Sequence, residues 1–270
     1  MADVEAVTDG TAPARVTDST PPDPRPAPDP RPAPAAPAPT PGEMSLVDHL
    51  VELRNRLIKS VIAIALGSVI GFIFWEQIRN VLLDPLPTKT VQVLGPGDAF
   101  AIALRISVVT GIILAMPVLL WQIWAFVAPG LTDVEKRVVR PWIPLALFFF
   151  ALGVVIAYVV LPAAVGFLLG FTDERLVGNL AAGPYFDFVT TIFLAFGLVM
   201  EFPIVLFGLS RVGIVTSARL ASGRRVALLG IAIFATAITP GGDVVSPLAL
   251  GGTMYLLFEG TILFIRRSGK

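Results

Sequence analysis

The sequence predicts an all-α integral membrane protein: six transmembrane helices, with short fifth and sixth helices and with both ends in the cytoplasm. Three observations carry this prediction. Of the 270 residues, 55% are hydrophobic and only 15% charged, with a mean hydropathy of +0.79, which is more apolar surface than a soluble domain of this size can bury. The apolar residues are gathered into runs at about 57–75, 99–127, 142–161, 185–209, 226–239 and 245–265. Most of these are long enough at about 1.5 Å per residue to cross a hydrocarbon layer of about 30 Å. The basic residues are unevenly placed. With the amino end inside, thirteen lysines and arginines between residue 54 and the carboxyl end fall on the cytoplasmic side, against four outside (Arg79, Lys89, Arg105 and Arg175). The three arginines of the amino-terminal tail are also inside and complete the twenty, so the positive-inside rule selects this orientation.

Residues 1–43 hold twelve of the 24 prolines and hardly any large apolar side chain. That composition predicts a disordered or polyproline II cytoplasmic tail without the apolar core of a secretory signal. The membrane domain is expected over residues 44–266, with a short cytoplasmic tail at 267–270. It opens on an amphipathic helix at 45–59, in which Leu46, Leu50, Leu53 and Leu57 form one stripe and Asp48, Glu52 and Arg56 another. Ser45 and Asp48 have the spacing of a capping box. Span two contains Pro117 and ends at Pro129-Gly130. Span three is expected to close or kink at Pro162, with a short surface-lying helix at 163–171. Pro203 should bend span four, because its ring removes the hydrogen bond to the Val199 carbonyl. Residues 211–225 read as a basic loop, and residues 240–244 as a tight turn between the last two runs. About fourteen residues make the fifth run too short to cross alone.

Five carboxylates need a reason. Glu201 lies within an otherwise apolar run, where a charge costs several kcal/mol, on the order of the insertion scales, unless protonated, paired or wetted. It is either a functional group or one hydrogen-bonded inside the bundle beside Pro203. Glu135 completes a T-x-x-E capping box with Thr132, and Glu52 has Arg56 as an i,i+4 partner; these roles alone would account for both. Both also fall on the cytoplasmic surface, where two carboxylates can receive two guanidinium groups through bidentate, charge-assisted hydrogen bonds. Asp243, in the outer turn, is expected to satisfy local backbone amides. Glu259, near the inner end of the last run, is expected to reach Arg266 or the interface. Trp75, Trp121, Trp124 and Trp142 lie near span ends and read as interfacial anchors.

The chain has no cysteine and a single histidine, His49, which excludes disulfides, thiolate zinc and a cysteine nucleophile. There is no phosphate loop in strand-to-helix context, no nucleophile elbow, no paired-metal spacing and no nucleic-acid patch. Nothing argues for an enzyme, a cofactor or a metal.

The segments HLVELRNRL (49–57), WAFVAPGL (124–131), EKR (135–137), and Phe196-Gly197 through Glu201-Phe202-Pro203 resemble TatC, the multispanning subunit of the twin-arginine protein translocase. The resemblance runs in order from about Met44 to Arg266 and takes in Asp84-Pro85-Leu86 and the turn from Thr239-Pro240 to Asp243. It implies a receptor in the bacterial cytoplasmic membrane that binds twin-arginine signal peptides of folded proteins, gathers single-span TatA/TatB-type subunits and other copies of itself, and uses the proton gradient. Under it, Glu52 and Glu135 match the signal-binding carboxylates, with Arg54 and Phe126 as neighbouring positions. Glu201 matches an intramembrane glutamate on the concave side, where signal or partner helices insert. Asp243 and Pro85 match outer-turn positions. Pro247 stands where some members carry a glutamine that shares a polar cluster with the span-four glutamate, so Glu201 is expected to find another partner. The competing reading is a secondary transporter of a small ion or solute using Glu201 at the midplane; against it, no inverted repeat is evident.

Overall fold

The fold begins as an antiparallel helix pair held together by missing side chains. In α1 (Leu46–Ile73), Gly67 and Gly71 are spaced one turn apart, and in α3 (Asp98–Val127) so are Ser107 and Gly111. A Cβ on Gly67 would lie 2.7 Å from the Gly111 carbonyl oxygen, and one on Gly71 would lie 2.7 Å from that of Ser107. Small residues at i and i+4 on both helices let the backbones touch, which is how helices associate where lipid removes the hydrophobic drive between them. The same device joins α5 (Trp142–Leu169) to α6 (Ala182–Val199), with Gly153 against the Phe196 carbonyl and Gly197 against the Phe150 ring.

The computed structural model describes residues 46–172, 180–211, 213, 215–239 and 242–267, and of residues 46, 134, 135, 138 and 211 the backbone only. The proline-rich tail, Ser45 of the expected capping box, Arg175 and the Pro240-Gly241 pair fall outside the described residues. Residues 44–270 make one compact unit. Its remaining elements are α2 (Trp75–Leu83), α4 (Asp133–Val139), α7 (Phe202–Arg211), α8 (Ser217–Ser222), α9 (Arg224–Ile238) and α10 (Val245–Arg267), with a 3-10 turn at Ala128–Gly130. The one sheet-like feature described is a parallel bridge between Gln92 and Ala181.

Helix α6 is the centre of the core. Tyr185, Phe186, Val189, Ile192 and Phe196 are all buried, packed by α3 on one side and α5 on the other. The hydroxyl of Tyr185 donates to the Leu82 carbonyl at 2.5 Å, and the Gln92 backbone bonds Leu180 and Ala182, so the loop after α2 is tied onto the start of α6. In contrast, α1 leans on α3 and leaves Leu57, Val61, Leu66 and Val69 exposed, a face suited to lipid.

Several sequence expectations change in detail. The opening amphipathic helix and span one are one uninterrupted helix. Pro162 neither closes nor ends α5, which runs on to Leu169, so the expected surface helix at 163–171 is the last part of that helix. Its neighbours are apolar, and in a nonpolar medium losing one backbone hydrogen bond costs less than unwinding a turn and exposing several. Pro117 is tolerated inside α3 in the same way. Pro203 does interrupt its helix: α6 stops at Val199, and α7 begins at Phe202 with the proline in its first turn, where its missing N–H costs nothing. The polar stretch after span one contains α2, and the basic loop contains α8, whose first turn is capped by the Thr216 hydroxyl accepting from Arg219 N–H at 3.3 Å. Among the described residues five stretches are long and apolar enough to cross a membrane. They include α10 with 23 residues, so the last helix is not short as expected, whereas α9, with 15, is not among them.

Candidate functional site

Two arrangements of polar groups stand out, both toward the end of the molecule where α1 begins and α3 ends. In the first, Arg56 clasps Glu52 one turn earlier on α1, with Nη2 and Nε donating to Oε1 at 2.8 and 3.3 Å. The same guanidinium crosses to α3, where Nη1 donates to Gln122 Oε1 at 3.3 Å and Nη2 reaches the Ala125 carbonyl at 3.5 Å. One turn nearer the amino end, the His49 ring stacks on Phe126 with centroids 4.3 Å apart and planes 17° apart. Glu52 is thus fixed in place by a residue that is itself fixed to the neighbouring helix. Its second oxygen, Oε2, is buried and has no hydrogen-bond partner among the described residues.

In the second, the break between α6 and α7 places Glu201 beside a cavity of about 320 Å³. Ile123, Trp124 and Val127 of α3, Val139 of α4, Trp142 and Ala146 of α5, and Val205 of α7 form its apolar wall. Glu201 is 8% exposed. Both its Oε1 and the Trp124 Nε1 are buried without a hydrogen-bond partner among the described residues, so one acceptor and one donor belong to an otherwise greasy cavity. Polar groups buried this way cost about 1–3 kcal/mol each, a cost natural chains carry where function requires it.

The remaining expected residues distribute as follows. Phe126 joins Glu52 at the α1–α3 seam, whereas Arg54, two positions on from Glu52 and so about 200° round the helix, is exposed on the other side. Glu135 is carried by α4, and its side chain lies outside the described residues. Asp243 is 4% exposed, and its Oδ1 accepts from the Ser246 backbone N–H at 2.6 Å, capping the start of α10. Pro85 follows the carboxyl cap of α2, where it prevents continuation and turns Leu86 into the core at 1% exposure. Pro247 lines a different cavity, with Asp243, between α9 and α10. Glu259 pairs with Arg224 of α9 rather than with Arg266: Oε1 takes Nε at 2.7 Å and Oε2 takes Nη2 at 2.8 Å. A helix as short as α9 needs that tie to α10, and residue 224 is the basic group facing it.

Two participants escaped the sequence reading. Gln122 is a lone amide in the second apolar run, and its polarity there was a usable signal. The ion pair between Arg105 of α3 and Asp187 of α6 was not legible, because each residue sits near a span end, where charge is ordinary.

Helices of membrane-crossing length, glycine-mediated seams and carboxylates presented at one end define a multi-pass membrane protein. The family profile described as Sec-independent protein translocase protein (TatC) matches residues 48–252, and the chain belongs to that family, as a component of a Sec-independent protein translocase. A relative from Carboxydothermus hydrogenoformans, named Sec-independent protein translocase protein TatC, is 37% identical over 226 residues, covering 83% of this chain and 93% of the relative. One of the same name from Aquifex aeolicus is 37% identical over 226 residues, covering 81% and 93%. Among solved structures, one described as the twin-arginine translocase receptor TatC in DDM superposes with a TM-score of 0.71 at 35% identity, covering 80% of this chain and 99% of that one. The family leaves the reading as a small-solute transporter without support.

Proposed function

We propose that this chain is the receptor subunit of a twin-arginine translocase in a bacterial cytoplasmic membrane. Its membrane domain spans residues 44–266 with six crossings, α9 making the short fifth, and both ends lie in the cytoplasm together with the 1–43 tail. The pairs of arginines in signal peptides dock at Glu52 and Glu135; the apolar part of the signal then enters the cavity beside Glu201. Single-span TatA/TatB-type subunits and further copies of the chain complete the pathway, since six helices alone are too few to enclose a folded protein. The proton gradient drives passage, and the chain performs no chemistry of its own.

The observation that carries this reading is the Glu52 carboxylate. Arg56 occupies one oxygen and is itself held by Gln122, while Oε2 has no partner among the described residues. A carboxylate held in one orientation, with its side chain still 19% exposed and with accepting capacity to spare, takes an incoming guanidinium at little further entropic cost once the groups covering Oε2 move aside. Asp243 caps the start of α10 and Pro85 ends α2, and both act as structural residues of the turns away from Glu52.

The test is a site-specific crosslinking scan with a twin-arginine signal peptide on the full chain in membranes. Glu52→Ala and Glu135→Ala each lower the yield while membrane insertion stays intact, and the double variant lowers it to that of a twin-lysine peptide. Full crosslinking by the double variant would overturn the proposal.

A further inference from the structure

At the end of the molecule away from Glu52, α1 breaks at Phe74 and α2 sets off from Trp75, which opens a cavity of about 350 Å³ between α2, the loop after it, α3 and α6. Its floor is apolar, with Ile102 and Phe186 buried in it and Leu83 and Val91 half-buried. Its rim is not. Arg79 and Lys89 both line it, with the Asn80 amide and the Thr90 hydroxyl beside them. Arg79 lies over the Trp75 ring, 4.8 Å from the centroid, and its Nε and Nη2 donate to Asn80 Oδ1 at 3.3 and 3.0 Å. It has no carboxylate partner among the described residues. Lys89 sits in the left-handed region at φ 52°, a conformation uncommon for a residue with a side chain, and its Nζ bonds Asp84 at 3.0 Å. Next along the chain to the lining residues Trp75, Val93 and Ala99, the apolar Phe74, Leu94 and Phe100 are exposed.

Arg79 and Lys89 are two of the four cations expected on the outer side, so their meeting on one cavity needs a cause. Among the described residues the one carboxylate that touches either cation is Asp84, on Lys89, which leaves a net charge of about one. An apolar floor beneath a singly positive rim, placed where an aromatic residue marks the membrane surface, matches one ligand class in shape and charge: a phosphodiester monoanion carrying acyl chains. We infer that this cavity binds the headgroup of an anionic phospholipid such as phosphatidylglycerol from the leaflet on the α2 side. The phosphate takes the free edge of the Arg79 guanidinium and the Lys89 ammonium, and an acyl chain lies over Leu83 and Val91. A lipid held there fills the space between α2 and the start of α6, so it is a structural ligand of the loop that carries Pro85. This inference does not depend on where the signal peptide binds.

The test uses the full chain purified in detergent and measured by native mass spectrometry with added phosphatidylglycerol or phosphatidylcholine. The wild type retains one phosphatidylglycerol at least tenfold more strongly than phosphatidylcholine. Arg79→Gln removes that preference, Lys89→Gln reduces it, and Arg79→Lys keeps most of it, with all three eluting as folded protein. Quenching of tryptophan fluorescence by brominated phosphatidylglycerol falls in Trp75→Phe by more than in Trp142→Phe, which locates the lipid. Equal retention of the two lipids, or a preference unchanged by Arg79→Gln, overturns the inference. So does displacement of the lipid by millimolar inorganic phosphate, which would make the cavity a site for free anions.

Discussion

Arg56 donates to Gln122 across the α1–α3 seam, at 3.3 Å, with the same guanidinium that clasps Glu52 at 2.8 Å. The contact converts a common i,i+4 pair, worth about 0.3–0.5 kcal/mol on a solvated helix, into a three-residue constellation with a fixed direction. Arg56 therefore positions the carboxylate and competes for it at once. Arg56→Ala leaves Glu52 on a freely rotating side chain and is expected to lower signal-peptide crosslinking several-fold. Gln122→Ala, which removes only the anchor, lowers it less. A rise in crosslinking in Arg56→Ala would mean that competition outweighs positioning.

The glycine seam makes a prediction about stability. A Cβ on Gly111 would meet the Ser68 backbone nitrogen at 2.6 Å and the Ile64 carbonyl oxygen at 2.8 Å, and backbone cannot move aside as a flexible side chain can. Gly111→Ala is expected to cost about 1–3 kcal/mol, seen as a lower midpoint in detergent unfolding. Gly166→Ala, on α5 with nothing within 4 Å of the added carbon, is the control and is expected to gain about 0.5–1 kcal/mol from helix propensity.

These cases show what a linear reading catches. The starts of α3, α5 and α10 were legible to within a residue because long apolar runs leave only one reasonable state in lipid. Proline was the misleading signal. Pro203 interrupts a helix next to a buried carboxylate, while Pro162 and Pro117 sit in uninterrupted ones, and local sequence does not distinguish them, because the difference lies in whether neighbouring helices and lipid hold the turn together. Glu201 was visible as a carboxylate out of place, and Glu52 as the i,i+4 partner of Arg56. The anchor of that pair was not: the bond from Arg56 to Gln122 depends on the antiparallel register that Gly67 and Gly111 set, and register between helices is a property of packing. Of the two partners expected for Glu259, Arg266 or the interface, Arg266 gave way for the same reason, since Arg224 arrives from another helix.

Glu201 offers a trade between stability and function. Its Oε1 is buried without a partner among the described residues, so Glu201→Leu removes a polar group that the apolar cavity does not satisfy. The variant is expected to be more stable than the parent by about 1–2 kcal/mol. Export of a folded twin-arginine reporter is expected to fall at least tenfold in the same variant, with Glu201→Gln intermediate. Unfolding midpoint and export rate measured on one preparation check both arms, and undiminished export would exclude a working role for the carboxylate.

Arg105 and Asp187 form the ion pair that fixes α3 to α6 on the side away from Glu52. Both side chains lie near the ends of their helices and are about half exposed, so the pair is worth about 1 kcal/mol or less. Neutralising either partner alone therefore leaves the other charge without compensation. Arg105→Gln and Asp187→Asn are each expected to lower the unfolding midpoint and the amount of protein in the membrane, and the double variant Arg105→Gln/Asp187→Asn to be less harmful than either. The exchange Arg105→Asp/Asp187→Arg separates pairing from mere removal of charge: it should recover most of the parent's midpoint, because the two helices still meet with opposite signs. If the exchanged protein is no better than the single variants, each residue acts through its other neighbours and not through the pair.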